Sequence, residues 1–322
     1  MSQLERHVAV PTMADLVRAH DAVRAHLAPT PVVDSTVATN AVLKLECLQP
    51  TGSFKVRGAV AALAALSEQD RTKGVVTASA GNHGLGVAFA ASRLGVPATV
   101  VVPANASPAK VAALRQFPIR LVQKGDGYFA AELHALELAT EGATYVSPYN
   151  DSAVIAGQAS IAAEIRHQVD GPMTIVAPVG GGGLVAGLCL WATQHSDVRV
   201  VGVEAGASQA VSAAVAAGRV VEVTVSPTLA DGLAGNIEPN SITPALIAAH
   251  CDALTTVTEP EIRLAMRFLA AQHGLLVEGS GAVAVAALLA GRMTAVGRPV
   301  VVVTGRNISL STAAEVLVSP DD

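Results

Sequence analysis

The feature that most constrains the fold is a run of four consecutive glycines, Gly180 to Gly183, between two apolar runs. Residues 174–179 before it are typical of a buried parallel strand, and residues 184–187 after it of a helix start. Without side chains the loop can wrap closely around an anion, and the helix dipole favours negative charge there. The glycines are contiguous, unlike those of a dinucleotide fingerprint, and the P-loop lysine is missing. The pattern therefore predicts a phosphate site.

The stretch 50–59 holds a single lysine, Lys55, between Gly52 and Gly58 and among mostly apolar residues. Burial disfavours the ammonium form, so a lysine there loses its proton more easily than an exposed one. A neutral amine is what Schiff-base chemistry with an aldehyde cofactor requires. Taken alone, the stretch fits a surface lysine at a helix start equally well.

Residues 77–84 form a Ser/Gly/Asn turn between the β-branched run 74–76 and the small-residue run 85–91. A strand, a turn and a helix in this order aim backbone N–H groups at an anion beyond the helix N-terminus. The side chain of Asn82 can donate and accept hydrogen bonds at once. By itself, the motif fits an asparagine turn that only caps a helix.

Taken together and in this order, the three motifs resemble those of fold-type II pyridoxal-phosphate enzymes. The resemblance is to the threonine/serine dehydratase branch, which also contains serine racemases. It runs through nearly the whole chain and includes residues 229–234, 277–282 and 301–307. It implies a pyridoxal 5'-phosphate-dependent ammonia-lyase acting on an amino acid.

The implied fold is α/β, with two open, mostly parallel sheets flanked by helices, as in the tryptophan synthase β chain. A length of 322 residues, with 51% hydrophobic and 3% aromatic residues, agrees with two domains built on buried parallel strands. The resemblance implies a large domain of residues 1–72 and 151–322 that carries the lysine and the glycine loop. A small inserted domain of residues 73–150 would carry the asparagine loop.

The resemblance also implies roles for individual residues. Lys55 would bind the cofactor and move the proton, and Ser79, Asn82 and His83 would bind the substrate carboxylate. The residues that would hold the cofactor are Phe54 and Lys55, Asn82 at the ring hydroxyl, Gly180, Gly181, Gly182, Gly183 and Leu184 at the phosphate, and Thr304 at the pyridine nitrogen. A neutral hydroxyl at that nitrogen makes the ring a weaker electron sink, which suits elimination.

Two positions depart from the family pattern. Racemases of this branch carry a second serine where this chain has Ala80, and a methyl group cannot move a proton. We therefore expect dehydration and not racemisation. The family's divalent-cation site pairs a glutamate with an aspartate, but here Glu204 is followed by Ala210 at the second place. Hard cations need several oxygen ligands, so we expect no metal site.

The substrate class that we expect is an L-3-hydroxy amino acid, L-threonine or L-serine by default, converted to a 2-oxo acid and ammonia. A specialised substrate stays open, such as phenylserine, hydroxyaspartate or a hydroxyectoine-pathway compound. Tyr128 and Phe129 have two readings: they favour a substrate with an apolar β-substituent, or they start a core-packed helix. Residues 147–151 are a second region that tunes the choice of substrate. A β-replacement enzyme typically has threonine where this chain has His83. A non-enzymatic binder of the cofactor is disfavoured because nothing is missing from the cofactor set. A nucleotide-binding protein explains the glycine loop but leaves Lys55 and Asn82 without a role.

The charge pattern argues against binding to nucleic acid, and the hydropathy pattern argues against a membrane span. The net charge is −5 without a basic cluster, and no stretch of about twenty residues is apolar enough for a span. Three cysteines without metal spacing, among them a core cysteine at Cys47, indicate a cytoplasmic protein. The family default is a homodimer. The chain ends at Asp322, soon after Thr304, so we expect no C-terminal regulatory domain and no feedback inhibition through one.

Overall fold

The computed structural model describes residues 6–318, and strands and helices alternate along most of this part of the chain. The strands are β1 (Val32–Ser35), β2 (Ala41–Lys44), β3 (Val75–Ala78), β4 (Ala98–Val102), β5 (Arg120–Gln123), β6 (Thr144–Tyr145), β7 (Met173–Pro178), β8 (Val198–Ala205), β9 (Ala253–Val257) and β10 (Arg298–Val302). The helices are α1 (Met13–His26), α2 (Lys55–Ala64), α3 (Glu68–Lys73), α4 (Asn82–Leu94), α5 (Pro108–Leu114), α6 (Tyr128–Thr140), α7 (Ser152–Gln168), α8 (Gly183–Ala192), α9 (Ala210–Ala217), α10 (Thr243–His250), α11 (Glu259–His273), α12 (Gly279–Leu289) and α13 (Leu310–Val318).

The chain divides into two compact units. Unit 1 comprises the residues up to Ala28 together with Lys55–Ser160, and unit 2 comprises Pro29–Phe54 together with the residues from Ile161 onward. The domain boundaries that the resemblance implies, near residues 73 and 150, stay a prediction. Their outermost residues, 1–5 and 319–322, lie outside the described part of the chain.

Unit 2 is built on a six-stranded sheet in the order β1-β2-β10-β7-β8-β9. Every pair in it is parallel except β1 with β2. The central strands β7 and β10 are almost entirely buried and rich in Val and Ile, as expected for a parallel sheet covered on both faces. Helix α12, whose residues from Gly279 to Ala287 are all buried, packs against these strands and belongs to the main core cluster.

Unit 1 contains a second, fully parallel sheet in the order β5-β4-β3-β6. One apolar cluster joins β3 and β4 to α6, and another joins β4 to α4 and α5. The two mostly parallel sheets with flanking helices confirm the predicted fold class. None of the helices in the described residues is both long and apolar enough to cross a membrane.

Candidate active site

The turn before Lys55 is hydrogen-bonded to residues 301–307, the last of the sequence motifs. The backbone N–H of Phe54 donates to the carbonyl of Thr304 at 3.0 Å. Gly52 has a φ of +76°, and a Cβ there would lie 2.4 Å from Oδ1 of Asn307. Only glycine adopts this positive φ readily and also leaves room for the side chain of Asn307. Helix α2 begins at the residue that follows Phe54, so Lys55 stands at the N-terminus of a helix.

The side chain of Lys55 is half-buried and hydrogen-bonded within unit 1. Its Nζ donates to the backbone carbonyl of Pro148 at 2.8 Å. Helix α4 lies directly against the start of α2, because a Cβ at Gly86 would come within 3.2 Å of the Lys55 backbone. The lysine and the first turn of α4 are therefore neighbours.

The asparagine loop joins β3 to α4, as the sequence predicts. The hydroxyl of Ser79 accepts a hydrogen bond from the backbone N–H of Gly81 at 3.2 Å, and α4 starts with Asn82 and His83. Ser79 and Asn82 are half-buried, whereas His83 is only 3% exposed. Burial and the nearby charge of Lys55 lower the pKa of His83 to about 3.

The glycine loop joins β7 to α8 in unit 2. Gly182 precedes α8 in the left-handed region, with φ +82°, and a Cβ on it would lie 3.0 Å from Thr243. The hydroxyl of Thr243 donates to the carbonyl of Gly181 at 2.7 Å, which fixes the loop from α10. The first N–H groups of α8, including that of Leu184, have no partner within the helix. This end of α8 therefore suits an anion.

Thr304 follows β10 and is 2% exposed. Its hydroxyl lies 3.4 Å from the carbonyl of Ser280 and donates to it, while the Ser280 hydroxyl accepts from the N–H of Gly232 at 3.0 Å. A Cβ at Gly281 would lie 2.4 Å from the carbonyl of Gly305. The motifs of residues 229–234, 277–282 and 301–307, which are far apart in sequence, thus pack together.

Glu204 has protein partners where the family would have a cation. Its carboxylate accepts hydrogen bonds from the N–H groups of Val211 and Ser212, at 2.9 Å and 3.2 Å, and from the Ser212 hydroxyl. Burial raises the pKa of Glu204, and these bonds oppose the shift. Helix α9 starts at Ala210, so its N-terminus binds the carboxylate. Residues 6–318 contain no group of three or more His, Cys, Asp or Glu that could hold a metal ion.

Two sequence-based hypotheses on packing can be compared with the structure. Tyr128 and Phe129 do start a helix that packs on the core, because Ala131 and Ala135 of α6 are buried against β3 and β4, but the two rings are themselves 46% and 66% exposed. Successive side chains of a helix point about 100° apart, so the sequence pattern alone does not show whether these two rings face the core or the solvent. The prediction that Cys47 is a core cysteine is confirmed: it is 1% exposed, and burial raises the pKa of its thiol to about 11.

One group near Lys55 could not be identified from the sequence. Pro148 binds the amine through its backbone carbonyl, which every residue type has, so no residue-type pattern reveals it. In the sequence, its segment, 147–151, stands out only as a region that tunes substrate choice. The weak available signal was the proline itself, which fixes the backbone φ.

The donor set of these residues fits a phosphorylated pyridine aldehyde. A half-buried amine at Lys55 suits an aldehyde, and the glycine loop leads into the N-terminus of α8, whose backbone N–H groups suit a phosphate. A neutral, buried hydroxyl at Thr304 suits an uncharged ring nitrogen. An α/β enzyme with two mostly parallel sheets, two loops that each lead from a strand into a helix, and a lysine at the start of a third helix belongs to the fold-type II class of pyridoxal-phosphate enzymes.

Comparison with known proteins gives the same class. The family described as "Pyridoxal-phosphate dependent enzyme" matches residues 23–305, and this chain belongs to it. It is therefore an enzyme whose cofactor is pyridoxal 5'-phosphate, and the predicted family and cofactor are confirmed.

Three proteins illustrate the similarity. The L-threonine ammonia-lyase of Thermotoga maritima is 39% identical over 291 residues, which are 89% of this chain and 72% of the relative. That of Geobacter sulfurreducens is 41% identical over 277 residues, 85% of this chain and 69% of the relative. The structure of maize serine racemase superposes with a TM-score of 0.88 at 28% identity and covers 95% of this chain and 97% of its own.

Proposed function

We propose that this enzyme eliminates the 3-hydroxyl group of an L-3-hydroxy amino acid, L-threonine or L-serine, as water. The unsaturated amino acid that is released then takes up one water and hydrolyses to a 2-oxo acid and ammonia. The observation that carries the proposal is the half-buried amine of Lys55, held at 2.8 Å by Pro148 at the start of α2. Two relatives at 39% and 41% identity, both named L-threonine ammonia-lyase, support this choice of substrate.

Each part of the cofactor has a group in this chain that would hold it. The N-terminus of α8, with Gly180 to Gly183 and the N–H of Leu184, would bind the phosphate. Asn82 would bind the ring hydroxyl, Phe54 would pack near the ring, and Thr304 would face the pyridine nitrogen. When bound, pyridoxal phosphate links to an amino group and withdraws electrons from the α-carbon of the amino acid.

The protein's own contribution is proton transfer and orientation. The amine of Lys55 takes the proton from the α-carbon of the substrate, which requires it to be neutral and within hydrogen-bond reach. The hydroxyl of Ser79, the side chain of Asn82 and the N–H groups at the start of α4 bind the substrate carboxylate. A substrate held at both ends loses its freedom to rotate, which lowers the barrier for the transfer.

Racemisation is the second candidate, because the structure of a serine racemase superposes closely on this chain. That reaction needs a group that returns a proton to the opposite face of the α-carbon. At the position where the resemblance implies a serine in racemases, Ala80 offers only a methyl group, half-buried in the cluster beside β4. We therefore expect elimination to dominate, with D-serine absent from the products of L-serine.

A substitution of Lys55 tests the proposal. With L-threonine, the purified enzyme is expected to form 2-oxobutanoate and ammonia and to change the visible absorption of its bound cofactor. Lys55→Ala should lose at least about 10²- to 10⁴-fold in kcat, since proton transfer alone supplies that much. Lys110→Ala, the same substitution at an exposed lysine of α5, is the matched control and should keep wild-type turnover.

Other outcomes of the same assay correct the proposal in defined ways. Cofactor absorption that ignores threonine and serine but responds to phenylserine or 3-hydroxyaspartate would replace the substrate and keep the chemistry. D-serine as the main product from L-serine would replace elimination by racemisation. Turnover retained in Lys55→Ala would refute the assignment of Lys55.

We further propose that the enzyme acts as a homodimer in the cytoplasm, as the resemblance implies. Light scattering of the purified protein should give twice the mass of the 32.5 kDa chain. Fractionation of cells that express the protein with a tag should place it with cytoplasmic enzymes. A monomeric mass or a membrane-bound fraction would contradict these proposals.

A further inference from the structure

The ring of His83 has a single tautomer that fits its surroundings. Its Nε2 lies 3.1 Å from the carbonyl oxygen of Val146, and a carbonyl oxygen can only accept a hydrogen bond. Nε2 therefore carries the proton, and Nδ1 of the neutral ring presents a lone pair. Nδ1 is buried and has no hydrogen-bond partner among the described residues.

A neutral imidazole held this way is a poor ligand for a carboxylate. Burial and the charge of Lys55 keep His83 neutral, and its one N–H is already bound to Val146. The remaining nitrogen is an acceptor, as are both oxygens of a carboxylate, so the two repel each other. The contact that the resemblance implies between His83 and the substrate can therefore come only from the backbone N–H of this residue.

The side chain instead holds a short segment that leads to the catalytic amine. The carbonyl of Val146 accepts hydrogen bonds from His83 and from the hydroxyl of Thr77, at 3.1 Å and 2.8 Å. Two residues further, the carbonyl of Pro148 accepts from Nζ of Lys55 at 2.8 Å. His83 and Thr77 thus fix one end of a three-residue segment, and Lys55 is bound at the other.

We propose that His83 is a positioning residue, which holds the segment Val146–Pro148 so that the Pro148 carbonyl orients the amine of Lys55. A neutral amine has two N–H groups and one lone pair. Binding one N–H to a fixed backbone carbonyl restricts the directions open to the lone pair, which takes the α-proton. This inference rests on the proposed function for its catalytic meaning, whereas its structural part concerns the amine alone.

The test compares two amides of different length at position 83. Gln places a donor where Nε2 stands and keeps the bond to Val146, whereas the shorter Asn does not reach it. His83→Asn should lower kcat about 10- to 100-fold, the cost of a misplaced catalytic group, with KM within about twofold of wild type. It should also shift the pH profile of kcat. His83→Gln should stay within about threefold of wild-type kcat.

A second readout does not depend on turnover. In the full-length protein freed of cofactor, reductive methylation of Lys55 is followed by mass spectrometry. The amine should react several-fold faster in His83→Asn, because Pro148 no longer holds it. Lys110 should react equally in both proteins. If no 3-hydroxy amino acid is a substrate, this experiment still tests the structural part of the inference.

Several results would overturn the inference. An increase in KM with unchanged kcat and unchanged labelling would make His83 a substrate ligand. Equal defects in His83→Asn and His83→Gln would exclude the bond to Val146 as the cause. Should His83→Asn fail to fold, Thr77→Val removes the other donor to Val146 at nearly constant volume. Faster labelling of Lys55 in that variant supports the inference, and unchanged labelling refutes it.

Discussion

Two buried titratable side chains, Glu204 and His83, differ in charge type but are both shifted towards their neutral forms. Burial raises the pKa of Glu204 and lowers that of His83 to about 3. The carboxylate recovers part of its lost hydration from the N-terminus of α9, whereas the imidazole has one bond to Val146 and a buried lone pair. Their effects on stability therefore have opposite dependence on pH.

The effect of His83 on stability can be measured through its own variant. Between pH of about 3 and 6.5 the unfolded chain binds a proton at His83 and the folded chain does not, so the free energy of unfolding falls as pH falls. One pKa unit corresponds to about 1.4 kcal/mol, so the loss from pH 7 to pH 5 is about 2 kcal/mol. His83→Gln cannot titrate and should escape this loss.

Urea unfolding of both proteins at pH 7 and pH 5 checks this prediction. The variant is expected to be less stable than wild type at pH 7 and to lose less stability on acidification. Lys55, the charged group that faces the ring, is present in both proteins and cancels in the comparison. An equal loss of stability in both proteins would show that His83 is not held neutral in the folded state.

At the scale of the elements, glycines set how closely the helices of unit 1 pack. A Cβ at Gly157 of α7 would lie 2.7 Å from the Cβ of Ala61 and from the Cα of Gly58, both on α2. These distances are well below ordinary van der Waals contact. Glycine at 58 and 157 therefore lets α2 and the first half of α7 approach almost backbone to backbone, which supports the helix that begins with Lys55.

Gly157→Ala should push these helices apart and destabilise the protein by about 1–3 kcal/mol, as overpacking does. The gain in helix propensity, about 0.5–1 kcal/mol, offsets only part of this cost. Gly127→Ala is the matched control, since a Cβ there meets nothing within 4 Å. Its stability should change by no more than about 0.5 kcal/mol. Denaturant titrations of wild type, Gly157→Ala and Gly127→Ala measure the free energies of unfolding. Equal values for the three proteins would contradict the close contact between the helices.

Much of the order of elements could be predicted from the sequence, because strand-helix junctions leave local signals. The glycine loop stands between β7 and α8, and the asparagine loop between β3 and α4, as the sequence predicts. Contacts between distant residues leave no such signal. The buried ion pair of Lys44 and Glu164, at 2.8 Å, joins positions 120 residues apart. The carbonyl of Pro148 is likewise a product of tertiary packing.

At the scale of the whole molecule, the candidate site residues are divided between the two units. Lys55, Ser79, Asn82 and His83 belong to unit 1, and Phe54, Gly180 to Gly183, Leu184 and Thr304 belong to unit 2. The boundary falls between Phe54 and Lys55, which are bonded in sequence. A cofactor that binds only the folded chain links binding to global stability.

Removal of the cofactor should therefore lower the thermal midpoint of unfolding, and its return should restore it. At a concentration 100 times Kd, a ligand that binds only the folded state adds about 2.7 kcal/mol. Pyridoxal without phosphate should restore much less, because it offers no anion to the N-terminus of α8. Differential scanning calorimetry of the protein with each compound measures this. Equal protection by both would contradict a phosphate site at the glycine loop.

Strand β10 lies between β2 and β7, and the segment after it fastens the turn that precedes Lys55. During synthesis on the ribosome, β2 and β7 emerge long before the strand that separates them. The six-stranded sheet is therefore completed late in translation, and the turn before Lys55 is fastened only after residues beyond 300 have emerged. The growing polypeptide thus carries unpaired edges on β2 and β7 until the strand between them arrives.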